Sequence, residues 1–208
     1  MKYDRIQETF RFITPGIYFL ALVLLINFDK IRIDKSTQDV LSCLSSIIVL
    51  LIPFVGFVVG FFIECIMTWF EQLIYSLGIS RPSRKVLHGT SELYKLDEKL
   101  RRAIVGENEV NTNKDSNEYQ QIAKQYVGDD PVVLRFYHFS IMARHIFGAQ
   151  LFASIYYLVF ADGWSWLNMI GALFILLILF VFWYRQNCVY MKYLFAVYGK
   201  SILENAHK

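Results

Sequence analysis

A chain of 208 residues, 55% hydrophobic and 17% aromatic, could bury a full soluble core, so length alone decides nothing. The net charge of +3 is too small to mark a nucleic-acid-binding domain, and Cys43, Cys65 and Cys188 lack CxxC or paired spacing and read as small buried hydrophobes. The apolar residues are massed in long runs with the charges between them. This excludes an ordinary soluble domain and predicts an all-α integral membrane protein with four transmembrane helices and a helical cytosolic segment.

Residues 1–13 (MKYDRIQETFRFI) place Ile6, Phe10 and Ile13 at helical spacing among Lys2, Arg5 and Arg11, which predicts a short interfacial helix on the cytosolic face. Thr14-Pro15-Gly16 predicts a break or restart of that helix. A first span follows over residues 13–28, short for a crossing. It has a basic start and no small-x-small cleavage site, so it reads as a retained signal-anchor. Residues 29–39 form a polar link in which Ser36 and Asp39 make a capping-box-like start.

The second span runs apolar from Val40 to about Ile63 and continues to Leu77, longer than a bilayer needs, so its end should protrude or tilt. Pro53 predicts a kink, and Gly56 and Gly60 offer a small-xxx-small face for close approach of another helix.

Residues 79–140 turn polar. Leu93, Leu96, Leu100 and Ile104 predict an amphipathic helix over 91–105, with Asp97–Arg101 and Glu98–Arg102 at i,i+4. A second helix is predicted over 118–127, with Tyr119, Ile122 and Tyr126 on one side, and residues 106–117 between them read as loop. Asp130 and Pro131 have the chemistry of a helix cap and first position.

The third span is expected over about residues 141–161, with Arg144 snorkelling to the cytosolic surface, and Asp162-Gly163 reverses the chain. Residues 164–184 hold no charge and are closed at both ends by aromatics, Trp164 and Trp166 at one, Trp183 and Tyr184 at the other. At about 1.5 Å per residue they span roughly 30 Å. The helix continues towards the C-terminus with an expected apolar face of Val189, Leu194, Val197 and Ile202. The segments are therefore 1–78, 79–140, 141–185 and 186–208. With four spans, the far-side links carry only Lys30, Arg32 and Lys35 of the 21 Lys and Arg, leaving 18 (21 minus 3) for the near side. The positive-inside rule puts both termini and the middle segment in the cytosol.

No HExxH, GxSxG, P-loop or dinucleotide fingerprint is present, and the chain reads as a non-enzyme without cofactor. His138 and His145 share a helix face, but two histidines beside the cation Arg144 do not make a metal site. Glu64 and Glu71 are seven apart on the second helix. In a symmetric oligomer Glu64 would repeat as an acidic ring that attracts cations, with Ser42, Ser45 and Ser46 able to line the path and Pro53, Gly56 and Gly60 at the gate or kink. The alternative is that Glu64 lies at the membrane surface paired with a Lys or Arg, and that the serines bond back to their own helix. Arg81, Arg84 and Lys85, with His88 near them, form a basic cluster that Arg101, Arg102 and Arg144 could join. Tyr94, Tyr119 and Tyr126 could supply stacking faces. Such a surface suits anionic lipid, or a nucleotide or short single-stranded DNA.

In its size and its four-span plan, with Glu64/Glu71 on a long second helix and basic residues at 81–85, the chain resembles small membrane effectors of bacterial anti-phage defence, most closely the Hailong type. That resemblance implies a homo-oligomeric ion channel of the cell inner membrane controlled by a DNA oligomer. The rival expectation is a non-conducting anchor or scaffold whose amphipathic cytosolic helices recruit a partner protein.

Overall fold

The apolar runs fold as α-helix, the form in which a single segment satisfies its own backbone where no water reaches. A computed structural model of the chain describes residues 2–28, 35–89, 95–106, 113–160 and 165–206, apart from the side chains of residues 2–8, 35–44, 46, 48 and 113. These residues form helices α1 (Lys2–Ile26), α2 (Lys35–Ser76), α3 (Pro82–Leu87), α4 (Glu98–Val105), α5 (Asn113–Val127), α6 (Pro131–Phe160) and α7 (Trp166–Ala206), with no strand among them. Three described stretches are long and apolar enough to cross a membrane: Thr9–Ile26, Val49–Ser76 and Trp166–Ala206. They mark the chain as membrane-associated.

The interfacial helix and the first span are one continuous helix, which corrects the break expected at Thr14–Gly16. Pro15 lies inside α1 and removes the donor that the Arg11 carbonyl would otherwise use. His145 Nδ1 lies 3.1 Å from that carbonyl oxygen and donates to it, so a neighbouring helix replaces the lost bond. α2 likewise runs through Pro53 and stops at Gly78, whose φ of +95° is a conformation that glycine adopts without strain.

The amphipathic helices begin elsewhere than the sequence suggests. α4 starts at Glu98 because Asp97 acts as its cap, its carboxylate accepting from Lys99 N at 2.9 Å rather than pairing with Arg101. α5 begins five residues earlier than expected. Its buried positions are Ser116 and Ala123, while Ile122 and Tyr126 are exposed. At α6 the local reading holds: Asp130 Oδ1 accepts from Val132 N and Val133 N, with Pro131 at the first position. The Ser36/Asp39 cap, Ser42, Ser46, Lys30, Arg32, Leu93, Tyr94 and the Asp162-Gly163 reversal lie outside the described residues or side chains.

The chain divides into two compact units. Unit 1 is Met1–Phe70 with Ile141–Phe180, and unit 2 is Glu71–Ser140 with Val181–Lys208.

In unit 1, α1 and α2 are antiparallel: Gly16 lies against Gly56, Phe12 against Gly60, and Arg11 reaches Glu64. A Cβ on Gly16 or Gly60 would strike backbone, so the small-xxx-small face of α2 is occupied by α1 of the same chain. α6 runs parallel to α1, with contacts in rising order: Phe12 with His145 (6.0 Å between rings), Tyr18 with Gln150 (2.6 Å) and Asn27 with Tyr156 (3.0 Å). α7 is antiparallel to α6 through Phe147–Phe180 at 5.8 Å and Tyr157–Asn168 at 3.2 Å. α6 is the interior helix of this unit, burying Ile141, Ala143, His145, Phe147, Ala149, Gln150 and Ala153. Gly148 lets it approach α2, where a Cβ would come 2.5 Å from Met67 Cγ. α2 and α7 instead expose long apolar faces, including Leu50, Phe54, Phe62, Leu173, Phe174 and Leu177, the surface expected where hydrocarbon is the solvent.

Unit 2 has an ordinary soluble-type core. Val86 and Leu87 of α3, Leu96, Ile104 of α4, Ala123 of α5 and Val133 of α6 close on Cys188, Tyr190, Met191, Leu194 and Phe195 of α7. Phe136 and Tyr193 stack at 4.1 Å. The buried stripe of α7 is thus Cys188, Met191, Leu194, Phe195 and Gly199, whereas Val189, Val197 and Ile202 are only half-buried. Of the four residues expected to form this face, only Leu194 is fully buried.

Candidate functional site, an ionic cluster in unit 1

Four ionisable side chains meet where the early part of α1, the later part of α2 and the early part of α6 come together. Glu64 Oε1 accepts from Arg144 Nη2 at 3.3 Å, and Glu64 Oε2 lies 3.9 Å from Arg11 Nη2 and 3.5 Å from His145 Nε2. His145 is wholly buried, while the side chains of Arg144, Arg11 and Glu64 are 13%, 19% and 22% exposed. The cluster therefore opens on one side.

Each residue is held by its helix. Arg11 sits one turn before Pro15, so its carbonyl is the one the proline frees, and its guanidinium lies 4.6 Å from the Phe12 ring centroid. His145 spends its Nδ1 proton on that carbonyl. Its Nε2, although 3.5 Å from Glu64 Oε2, makes no hydrogen bond. Arg11 Nε and Glu64 Oε2 are also buried without a hydrogen-bond partner. Among the described side chains, the guanidiniums of Arg11 and Arg144 both face the Glu64 carboxylate. Such a group at membrane depth is costly unless its members pair or reach water.

The other residues picked out by sequence fall as follows. Ser45 and Pro53 are exposed on α2, and Gly56 and Gly60 are buried under α1. Glu71 belongs to unit 2, where Tyr75 Oη donates to its Oε1 at 3.1 Å. Arg81 lies over the Tyr75 ring at 5.3 Å, and Lys85 over the Tyr184 ring at 5.1 Å. Tyr184 Oη donates to the Ser80 carbonyl at 2.8 Å. Arg81 Nε and His88 Nε2 are buried without a hydrogen-bond partner, and Arg84 is half-buried on α3. On α4, Arg101 is half-buried, while Arg102 is exposed and paired with Glu98 at 2.7 Å. Arg144, expected to join the basic cluster, is in unit 1 on Glu64.

Arg11 and His145 were not paired with Glu64 by sequence reasoning. One signal pointed their way, since a proline inside an apolar helix orphans the carbonyl four residues before it and so calls for a donor from elsewhere. Tyr75 and Tyr184, which lie under Arg81 and Lys85, left no such signal. Among the described residues, no group of three or more His, Cys, Asp or Glu side chains could hold a metal ion. No protein-family model, no curated protein and no solved structure matches the chain.

Proposed function

We propose that the chain is the subunit of a homo-oligomeric ion channel that crosses the membrane four times, with both termini in the cytosol. In this reading the cytosolic helices of residues 79–140 receive a nucleotide or oligonucleotide signal, as in the bacterial anti-phage effectors that the sequence resembles.

The observation that carries the reading is the ionic cluster of Glu64, Arg11, Arg144 and His145 among otherwise apolar helices, because ionisable groups at such depth serve conduction or gating more often than stability. The fourth crossing is supported by α6, which keeps pace with α1 from Phe12–His145 to Asn27–Tyr156 and so covers much of the same depth. Its Arg144, His145 and Gln150 face α1 and α2, which explains how it can carry polar groups that the helices facing lipid do not. Opening would exchange the arginine partners of Glu64 for water and ions. The aromatic-backed cations Arg81 and Lys85, with Arg84 beside them, are the proposed contact for the signal's phosphates.

A second reading, a non-conducting anchor or scaffold, is favoured by one specific observation. Glu64 already has its counter-charges within its own chain, and the Gly56/Gly60 face already has its helix.

Ion flux through purified protein in liposomes separates the two. The channel reading expects flux that changes when nucleotides or short DNA oligomers are added and that is altered by Glu64→Ala. Vesicles that stay tight under every condition, with folded protein in them, establish the scaffold instead.

A further inference from the structure

We infer that Ile66, Trp69, Leu73 and Leu77 form the seam along which two copies of this chain associate, α2 against α2, parallel and in register. The seam rests on the homo-oligomer proposed above, whose contact it names, and does not require that the chain conduct ions.

The exposed surface of α2 changes character along the helix. From Val49 to Phe62 every exposed residue is apolar, as lipid on all open sides requires. Past Glu64 the surface divides into two rows. Thr68, Gln72 and Ser76 are exposed in one, and Ile66, Trp69, Leu73 and Leu77 in the other, with Trp69 80% exposed. Steps of three, four and four residues keep the apolar row on one face of a nearly straight helix. A narrow apolar stripe beside a polar row is the pattern of a helix that meets one protein partner, not of one surrounded by hydrocarbon. The stripe belongs to a single continuous helix, and just past its end Leu77 N still donates to the Leu73 carbonyl at 3.0 Å. At about 100° per residue, Leu73 falls half a turn round from Glu64, on the side of α2 away from the face that α1 covers.

Length agrees. The apolar stretch Val49–Ser76 holds 28 residues and runs to roughly 42 Å, against about 30 Å of hydrocarbon. By sequence, Lys2, Asp4, Arg5 and Glu8 charge the start of α1, just beyond the Arg11 that reaches Glu64. The excess of α2 therefore falls at its Ser76 end, where lipid tails do not cover it.

The occupant follows from the membrane. Copies that cross a bilayer insert the same way, so their α2 helices are parallel and at one depth, and each stripe residue meets its own counterpart. No charge on the stripe opposes that meeting. Glu71, the acid of this stretch, stands outside both exposed rows and accepts from Tyr75 Oη at 3.1 Å. A different protein would need a matching stripe at a matching depth, which a second copy already has.

The test oxidises full-length protein in liposomes, with Trp69→Cys, Leu73→Cys or Thr68→Cys placed over Cys43→Ala and Cys65→Ala. Cys188 stays, because it is buried. Disulfide-linked dimer is expected with the first two and not with Thr68→Cys, which points about 100° away from Trp69. Trp69→Glu, at an exposed position, should leave the chain folded and raise the dissociation constant of the oligomer in detergent roughly thirtyfold, the effect of losing one interface tryptophan. Linking as strong with Thr68→Cys as with Trp69→Cys overturns the seam, since chance collision links both. An oligomer by light scattering that links at neither stripe position overturns the seam and leaves the homo-oligomer standing. A monomer throughout overturns both and leaves lipid, or another part of this chain, on the stripe.

Discussion

Pro15, Arg11 and His145 form a unit of three residues whose logic is local in one part and distant in another. The proline removes a donor from α1, the Arg11 carbonyl is left over, and His145 supplies the proton from α6. His145→Leu should therefore cost about 1–3 kcal/mol, the penalty of a buried acceptor left unmet. In a Pro15→Ala background, the restored N–H can take the carbonyl, so the same substitution should cost less. A double-mutant cycle on thermal midpoints reads the coupling, and equal costs in both backgrounds would contradict the account. The sequence displays the proline and hence the orphaned carbonyl, but the donor lies 134 residues away and no spacing rule points to it. Asp130 is the opposite case. Its cap is complete within three residues, and it was legible from sequence alone.

At the scale of elements, α6 and the first part of α7 are both long apolar helices with reversed surroundings. α6 is interior to unit 1, with Ala149 wholly buried, whereas Leu173 of α7 is 63% exposed. Ala149→Phe should destabilise by about 1–3 kcal/mol through overpacking, and Leu173→Phe should change stability by no more than about 0.5 kcal/mol. Chemical denaturation in one detergent compares them, and similar losses would show that α6 is not interior. Helix existence was readable from composition in all of these segments, whereas the buried face was not. In α5 and the end of α7, the apolar residues lie on several sides, so a rotation of one position, about 100°, changes which stripe is chosen. Packing made that choice: Gly199 is where α4 approaches α7, with Ile104 Cδ1 3.3 Å from a would-be Cβ.

At the scale of the molecule, the number of crossings fixes on which side each terminus lies. Among the described residues three helices meet the length and apolarity needed to span, and α6 accompanies α1 while carrying Arg144 and His145. Four crossings put both termini on one side of the membrane, while three put them on opposite sides. Compartment-sensitive reporters fused separately to each terminus of the whole chain should both report the cytosol. Opposite answers would mean an odd number of crossings and would remove the four-span channel.

The amino-acid sequence by itself determined that this is a helical membrane protein, and it located the capped start of α6. Those features rest on composition and on contacts within one turn, which neighbouring residues carry between them. Only the tertiary structure decided that Gly56 and Gly60 are met by α1, that Glu64 is held by Arg11, Arg144 and His145, and that α6 is interior. Each of these is a pairing between distant segments. A helix's periodicity states what a face can bury, and only packing selects the partner that buries it.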